Sequence, residues 1–292
     1  MRVANLDGRL VIVTGEAGHE IGYDVEKSSG GQFSADPQAV YDVWGAFTTW
    51  AAAGQFTDGT PVRPEALGSP APAPRQAFGI GLNYREHVAE SGFDAPTTEP
   101  PVFTKFPSCI TGPTGDIEMP SGGNVDWEVE LVVVIGRRAH RVGADEALDY
   151  VAGYAVGQDV SERKLQVAAK PPQFSMGKSL PGFGPIGPWL VTLDDIADPN
   201  DLELGCEVNG EVMQLSRTSQ LIFSVPALIE NLSASVPLLP GDVIFTGTPS
   251  GVGLGRTPQR WLAPGDVLTS HIESIGRMEH RFVADDAGHQ AR

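Results

Sequence analysis

The segment Asp126-Trp127-Glu128-Val129-Glu130 sets three carboxylates at alternate positions directly ahead of an apolar run, Leu131–Ile135. Residues two apart on a strand share a face. The three acids would then project together, with Trp127, Val129 and Leu131 opposite. Carboxylates that lead into a buried strand repel one another and are costly to desolvate. A divalent cation compensates both effects. Oxygen donors select Mg²⁺ or Mn²⁺, or Ca²⁺ in a larger cage, whereas Zn²⁺ more often recruits His or Cys. The competing reading is an exposed edge strand with alternating charge. Asp159, in Gly153–Val160, follows another short apolar strand. If the two strands are adjacent, Asp159 joins Glu128 and Glu130 in one cation site.

His87 and Glu90 are three apart in Gly81–Glu90. On a helix they are neighbours, so Glu90 could orient the imidazole and make His87 a general base near neutral pH. The alternative is an ordinary surface pair. Lys178 sits in Phe174–Ser179, where an ammonium on a shaped loop could neutralise a carboxylate or enolate oxygen; the alternative is a surface lysine. Thr246–Gly255 is glycine-rich but lacks Gly-Lys-Ser/Thr, and no acid follows at the distance a dinucleotide site needs. It reads instead as a turn that offers backbone N–H groups and Thr248 to a carboxylate.

These groups belong to a chain of 292 residues with 37 Asp and Glu, 20 Lys and Arg, and a net charge of −17. So acidic a chain is a poor ligand for a phosphate backbone, so no nucleic-acid partner is expected. A hydrophobic share of 41% supports a packed core. Two cysteines, Cys109 and Cys206, form no disulfide framework and suit a reducing compartment. No apolar run approaches the length of a bilayer span, and the N-terminus does not read as a signal peptide. A soluble cytoplasmic protein without a membrane partner is the expectation.

The elements that must position these groups fall in two parts. Residues 1–72 read as a small N-terminal α+β domain. Arg9–Thr14 and Glu20–Val25 are candidate strands. A helix is expected between Asp36, as N-cap ahead of Pro37, and Gly54, with Val40, Val43, Trp44, Phe47, Trp50 and Ala51 on one buried face. The proline-rich run Gly68–Arg75 reads as an extended spacer. Residues 73–292 are strand-rich, with strands at Leu131–Ile135, Val243–Thr246, Val267–His271 and Arg277–Val283, and short helices at Tyr84–Glu90 and Val225–Leu232, the latter capped by Ser224. Pro171–Pro188 holds nine Gly or Pro in eighteen residues and reads as a shaped loop. Ser179–Ser216 carries seven acids and no Lys or Arg, read as a solvated face. The fold class expected is mostly β with mixed strand directions, since the regular alternation of a doubly wound sheet is missing.

Taken together, the segments resemble the fumarylacetoacetate hydrolase family. The resemblance is carried by Asn83-Tyr84, His87 and Glu90; Asp126, Glu128 and Glu130-Leu131; Asp159, Ser161, Arg163 and Gln166; Gly177-Lys178-Ser179; and Gly247-Thr248-Pro249, in order across Phe78–Val283. It implies a mixed β-sandwich roll, with residues 73–292 as the catalytic domain, assembled as a homodimer. It implies that Glu128, Glu130 and Asp159 bind Mg²⁺ or Mn²⁺ and that His87 and Glu90 activate water on a mobile lid. Lys178 would assist at substrate oxygens, with Arg163, Gln166 and Thr248 as substrate contacts. The implied substrates are small 2-oxo or 2,4-dioxo acids. Three positions depart from the family pattern: Pro181 stands where an Asp is common, and Glu162 and Lys164 replace the commoner Ala and Asp. Lys164 could meet a second substrate carboxylate or lie on the surface.

The leading expectation is a metal-dependent hydrolase of an acylpyruvate-type C–C bond. Alternatives are a decarboxylase, isomerase or hydratase of a 2-oxo dicarboxylate such as oxaloacetate, or a silent metal- or ligand-binding module. The last is disfavoured because metal binding alone needs none of His87, Glu90 and Lys178.

Overall fold

The computed structural model describes residues 1–91, 94 and 96–285. The sequence puts its longest β-branched run at Val129–Ile135, and this strand is buried along its whole length. Such a run suits a strand covered on both faces. It pairs antiparallel with Val151–Gln158 on one side and Val243–Phe245 on the other. Around it lies a mixed sheet of twelve strands among the described residues. One direction continues through Gly184–Val191, Arg2–Leu6, Arg9–Thr14 and Ile21–Asp24; the other passes Ala77–Ile80 to Val102–Thr104. A second sheet of five strands runs Glu211–Arg217, Glu203–Val208, Val267–Ile272, Gly276–Ala284 and Thr114–Met119. The fold is mostly β with mixed sheets, as the sequence pattern predicts.

Alternation along the central strand assigns its two faces. Val129, Leu131, Val133 and Ile135 enter the core shared with the five-stranded sheet, beside Leu204, Leu268 and Phe282. Val132 and Val134 enter a second core with Phe245, Phe47 and Val40. Residues of the N-terminal 72 therefore share a core with the central strand.

Several local expectations need correction. The helix between Asp36 and Gly54 is two pieces, a 3₁₀ segment Ala39–Val43 and an α-helix Trp44–Ala51. Asp36 accepts from the Gln38 N–H at 2.9 Å, forming a turn ahead of the helix instead of capping it. The change of helical pitch turns Val43 outward, where it is 47% exposed. Ser224 stands at the N-cap of Val225–Ser235, but its side chain makes no capping bond. The proline-rich run is packed: Ala71 is buried, and the Tyr41 hydroxyl donates to the Pro70 carbonyl at 3.0 Å. The expected loop Pro171–Pro188 ends early, because Gly184–Val191 is a strand. Its prolines are tolerated where the ladder is irregular. Pro188 falls at the register shift opposite Tyr154–Val156, where no regular N–H bond is lost. Asp194 and Asp195 are solvated as expected.

Candidate active site

The strand order puts Val129–Ile135 in the sheet interior, which overturns the exposed-edge reading of the Glu-X-Glu pattern. Glu128, Glu130 and Asp159 are all buried. Their neighbourhood follows from the antiparallel register, in which Val129 faces Gln158 and the Asp159 N–H donates to the Glu128 carbonyl at 2.9 Å. One carboxylate oxygen from each acid lies within 4.8 Å of the others. Two oxygens across one hard cation stand about 4–5 Å apart, so the three carboxylates fit a single divalent ion and would be the residues that hold it. Asp126 does not join them. It belongs to a separate two-stranded ribbon with Ser161–Glu162, because the chain breaks its strand at Trp127–Glu128.

Three buried cations meet these acids. Arg163 donates from Nε to Asp126 at 2.8 Å, from Nη2 to Glu128 at 2.7 Å and from Nη1 to Gln166 at 2.9 Å. The Lys178 Nζ bridges Glu128 at 2.6 Å and Asp159 at 2.5 Å. Lys105, which sequence reasoning missed, is fully buried and donates to Asp159 at 2.6 Å, to the Lys178 carbonyl and to the Phe183 carbonyl at 3.0 Å. A lone lysine between Thr104 and Phe106 in an apolar stretch was the available signal. Burial would raise the Glu128 carboxyl, but Lys178 and Arg163 outweigh it and hold it well below the ordinary range. Glu130 goes the opposite way. Burial, with Asp159 and Glu128 adding like charge, pushes it well above its usual value against Lys178 and the Gly247 N–H. Two carboxylates two residues apart are thus driven in opposite directions by their partners. Burial alone would lower Lys178, but Asp159 and Glu128 raise it.

The glycine-rich turn after Phe245 supplies N–H groups to carboxylates, and these belong to the protein. Gly247 donates to Glu130 at 2.8 Å, Gly251 to Glu90 at 2.7 Å, and Gly253 and Leu254 to Asp126 at 2.7 and 3.0 Å. Close approach requires glycine: a Cβ on Gly253 would lie 1.9 Å from the Arg260 carbonyl, and one on Gly255 2.3 Å from the Glu90 carboxyl group. Glu90 and His87 lie on the helix Arg85–Ser91, with His87 Nδ1 3.4 Å from Glu90 Oε1. Tyr84, just ahead of that helix, is buried with no hydroxyl partner among the described residues, and burial together with Glu130 raises its phenol.

A cavity of about 190 Å³ gathers His87, Glu128, Glu130, Arg163, Gln166, Lys178 and Thr248 in its wall. Glu90 and Asp159 stand behind that wall, each bonded to a group within it or to the turn beside it. Thr248 donates to the Val129 carbonyl at 3.0 Å and accepts from Gln214 at 2.8 Å, so its hydroxyl proton is committed to the strand. Glu162 caps the short helix Arg163–Gln166 by accepting from the Leu165 and Lys164 N–H groups. This sets Arg163 and Gln166 on one face. Lys164 is exposed and donates to the Gly122 carbonyl at 2.5 Å. Pro181 is also exposed, and Lys178 is oriented by Glu128 and Asp159 without an acid there.

Residues 76–283 match the profile of the fumarylacetoacetate (FAA) hydrolase C-terminal family. The chain belongs to the fumarylacetoacetate hydrolase family. A mitochondrial oxaloacetate tautomerase of Bos taurus is 44% identical over 216 residues, which cover 74% of this chain and 68% of that protein. A crystal structure from Mycobacterium smegmatis, described only provisionally as an HpcE protein, superposes with a TM-score of 0.93 at 54% identity, covering 98% of this chain and all of that one. Maleylpyruvate hydrolase from Sphingobium, solved with manganese (II) ion and pyruvate, superposes with a TM-score of 0.79 at 28% identity, over 98% of this chain and all of that one. Among the described residues no helix is long and apolar enough to cross a membrane.

Proposed function

We propose that this protein is a divalent-metal-dependent hydrolase that cleaves a C–C bond in an acylpyruvate-type, 2,4-dioxo acid substrate, working as a homodimer. The observation that carries this reading is the shared cavity. A three-carboxylate cluster and a His–Glu pair, which do different jobs, line or back the same small space. Mg²⁺ or Mn²⁺ is the proposed ion, with Glu128, Glu130 and Asp159 as its holders. When bound, the ion stabilises the oxygen that gains negative charge as the C–C bond breaks.

The remaining work falls to side chains of this chain. Glu90, fixed by the Gly251 N–H, accepts a hydrogen bond from the His87 Nδ1–H and thereby leaves Nε2 as the unprotonated nitrogen. That nitrogen takes a proton from a water as it attacks the distal carbonyl. Lys178 and Arg163 keep Glu128 ionised and oriented as one of the proposed holders of the ion. Gln166, held by Arg163, is the proposed neutral contact for a substrate oxygen. Thr248 fixes the strand behind the site.

A second reading, decarboxylation or tautomerisation of a 2-oxo dicarboxylate such as oxaloacetate, is favoured by the 44% identity to an oxaloacetate tautomerase. Decarboxylation needs no attacking water and so no base to activate one, whereas tautomerisation moves a C3 proton and still needs a base such as His87. A panel of 2-oxo and 2,4-dioxo acids with Mg²⁺ or Mn²⁺, read by product identification, separates the two. Asp159→Asn should abolish turnover, and His87→Ala should remove hydrolysis while sparing decarboxylation. Undiminished turnover by the metal-stripped protein would sink the metal assignment.

A further inference from the structure

The fixed cations of the site are already matched by acids before any ligand enters. Lys105, Arg163 and Lys178, all buried, are each bonded to one or more of Asp126, Glu128 and Asp159. A divalent cation held by the acids would therefore be the one positive charge left for a ligand, and it suits one anionic group, the carboxylate of a 2-oxo acid.

The rest of the wall offers nothing for a second. Its apolar side chains are Ile80, Leu82, Pro101, Phe103, Phe174 and Leu254, with the Phe103 ring 4.9 Å from the Lys178 ammonium. Phe103 and Phe174 meet edge to face at 5.9 Å and form one continuous aromatic surface. Among the described residues the fixed cations in the wall are Arg163 and Lys178, and each already faces a carboxylate, while His87 faces Glu90. Lys164, the sequence candidate for a second carboxylate, is outside the cavity wall and bonded to Gly122. A buried carboxylate without a counter-ion is strongly disfavoured, whereas an apolar group gains by burial.

We propose that the cavity selects 2-oxo acids with a single carboxylate and an uncharged apolar far end, and that Leu82, Phe103, Phe174 and Leu254 determine this specificity. The inference rests on reading the site as one for 2-oxo acids. It separates this chain from an enzyme of oxaloacetate, whose second carboxylate would be pressed against that wall.

The test is titration calorimetry on the full-length protein loaded with Mn²⁺, with two ligands of equal length. One is 2-oxoglutarate; the other is 5-methyl-2-oxohexanoate, which carries an isopropyl group in place of the far carboxylate. The expected result is at least tenfold tighter binding of the methyl compound. Leu254 is 45% exposed, so an arginine there can fold with its head toward solvent and the cavity mouth. In Leu254→Arg the preference should shrink at least tenfold or reverse. Equal or tighter binding of 2-oxoglutarate to the native chain overturns the inference and leaves the 2-oxo acid reading standing. A preference unchanged in Leu254→Arg overturns the role of that wall. If neither acid binds, the 2-oxo acid reading fails and this inference with it.

Discussion

Lys105 and His280 show how much a single buried group decides. Lys105 reaches Asp159 from beneath the site and ties two backbone carbonyls to it. Breaking a buried ion pair from one side costs about 3–5 kcal/mol. Lys105→Met should therefore lower stability by about that much in denaturant titration, with Lys105→Arg losing less if it can reach the same acceptors. His280 is a different case. Its Nε2 donates to the Gly112 carbonyl at 3.0 Å, its Nδ1 has no partner among the described residues, and burial lowers its pKa to about 4. The folded value lies below the unfolded value of about 6.5, so the unfolded chain takes up the proton first as pH falls. Stability from this group is complete above pH ~6.5 and declines toward pH ~4, by about 3 kcal/mol in all. His280→Gln keeps a donor for Gly112 without titrating. Its unfolding free energy should fall less steeply over that window than that of the native chain; equal slopes would remove His280 as the cause.

At the scale of elements, the glycine-rich turn and the helix Arg85–Ser91 act as one device. A Cβ on Gly255 would press on the Glu90 carboxyl group. In Gly255→Ala the expected outcome is displacement of Glu90 from His87, with kcat for hydrolysis reduced about 10²-fold, the scale of a lost general base. Mn²⁺ affinity, measured by calorimetry, should stay unchanged because Gly247 and Glu130 are not touched. The candidate site groups were legible in the sequence where their spacing is local: two residues for Glu128 and Glu130, three for His87 and Glu90. What holds them was less legible. Lys105 meets Asp159 across 54 residues, and Gly247 meets Glu130 across 117, so no short pattern reports either contact. Arg163 and Thr248 were singled out as candidates and line the cavity, but their partners, Asp126, Glu128, Gln166, Val129 and Gln214, emerge only from the fold. The strand Gly184–Val191 was hidden by its prolines, which local propensity counts against a sheet.

For the whole molecule, the proposed boundary at residue 72 is one of sequence character, and packing crosses it. Phe47 shares a core with Val132, Val134 and Phe245 of the central strands, and Arg2–Leu6 pairs with Gly184–Val191. Phe47→Ala should cost about 3–5 kcal/mol. The loss should lower one common transition, followed through Trp50 in the first part and Trp127 in the second with the other tryptophans replaced. Two separated transitions would show that residues 1–72 unfold alone. Binding of Mn²⁺ or Mg²⁺ to the native state alone should raise the melting temperature with ion concentration, and the rise should vanish in Glu128→Gln.

The turn from Gly247 to Leu254 holds Glu130, Glu90 and Asp126 through main-chain donors alone. Peptide N–H groups carry no side-chain identity, so substitution cannot retune them one at a time. A displacement of the turn carries Glu90, the proposed partner of His87, and Glu130, a proposed holder of the cation, the same way. The site can thus keep its catalytic spacing while the cavity wall facing the substrate changes residue by residue. On this backbone, change of specificity is mechanically uncoupled from change of chemistry.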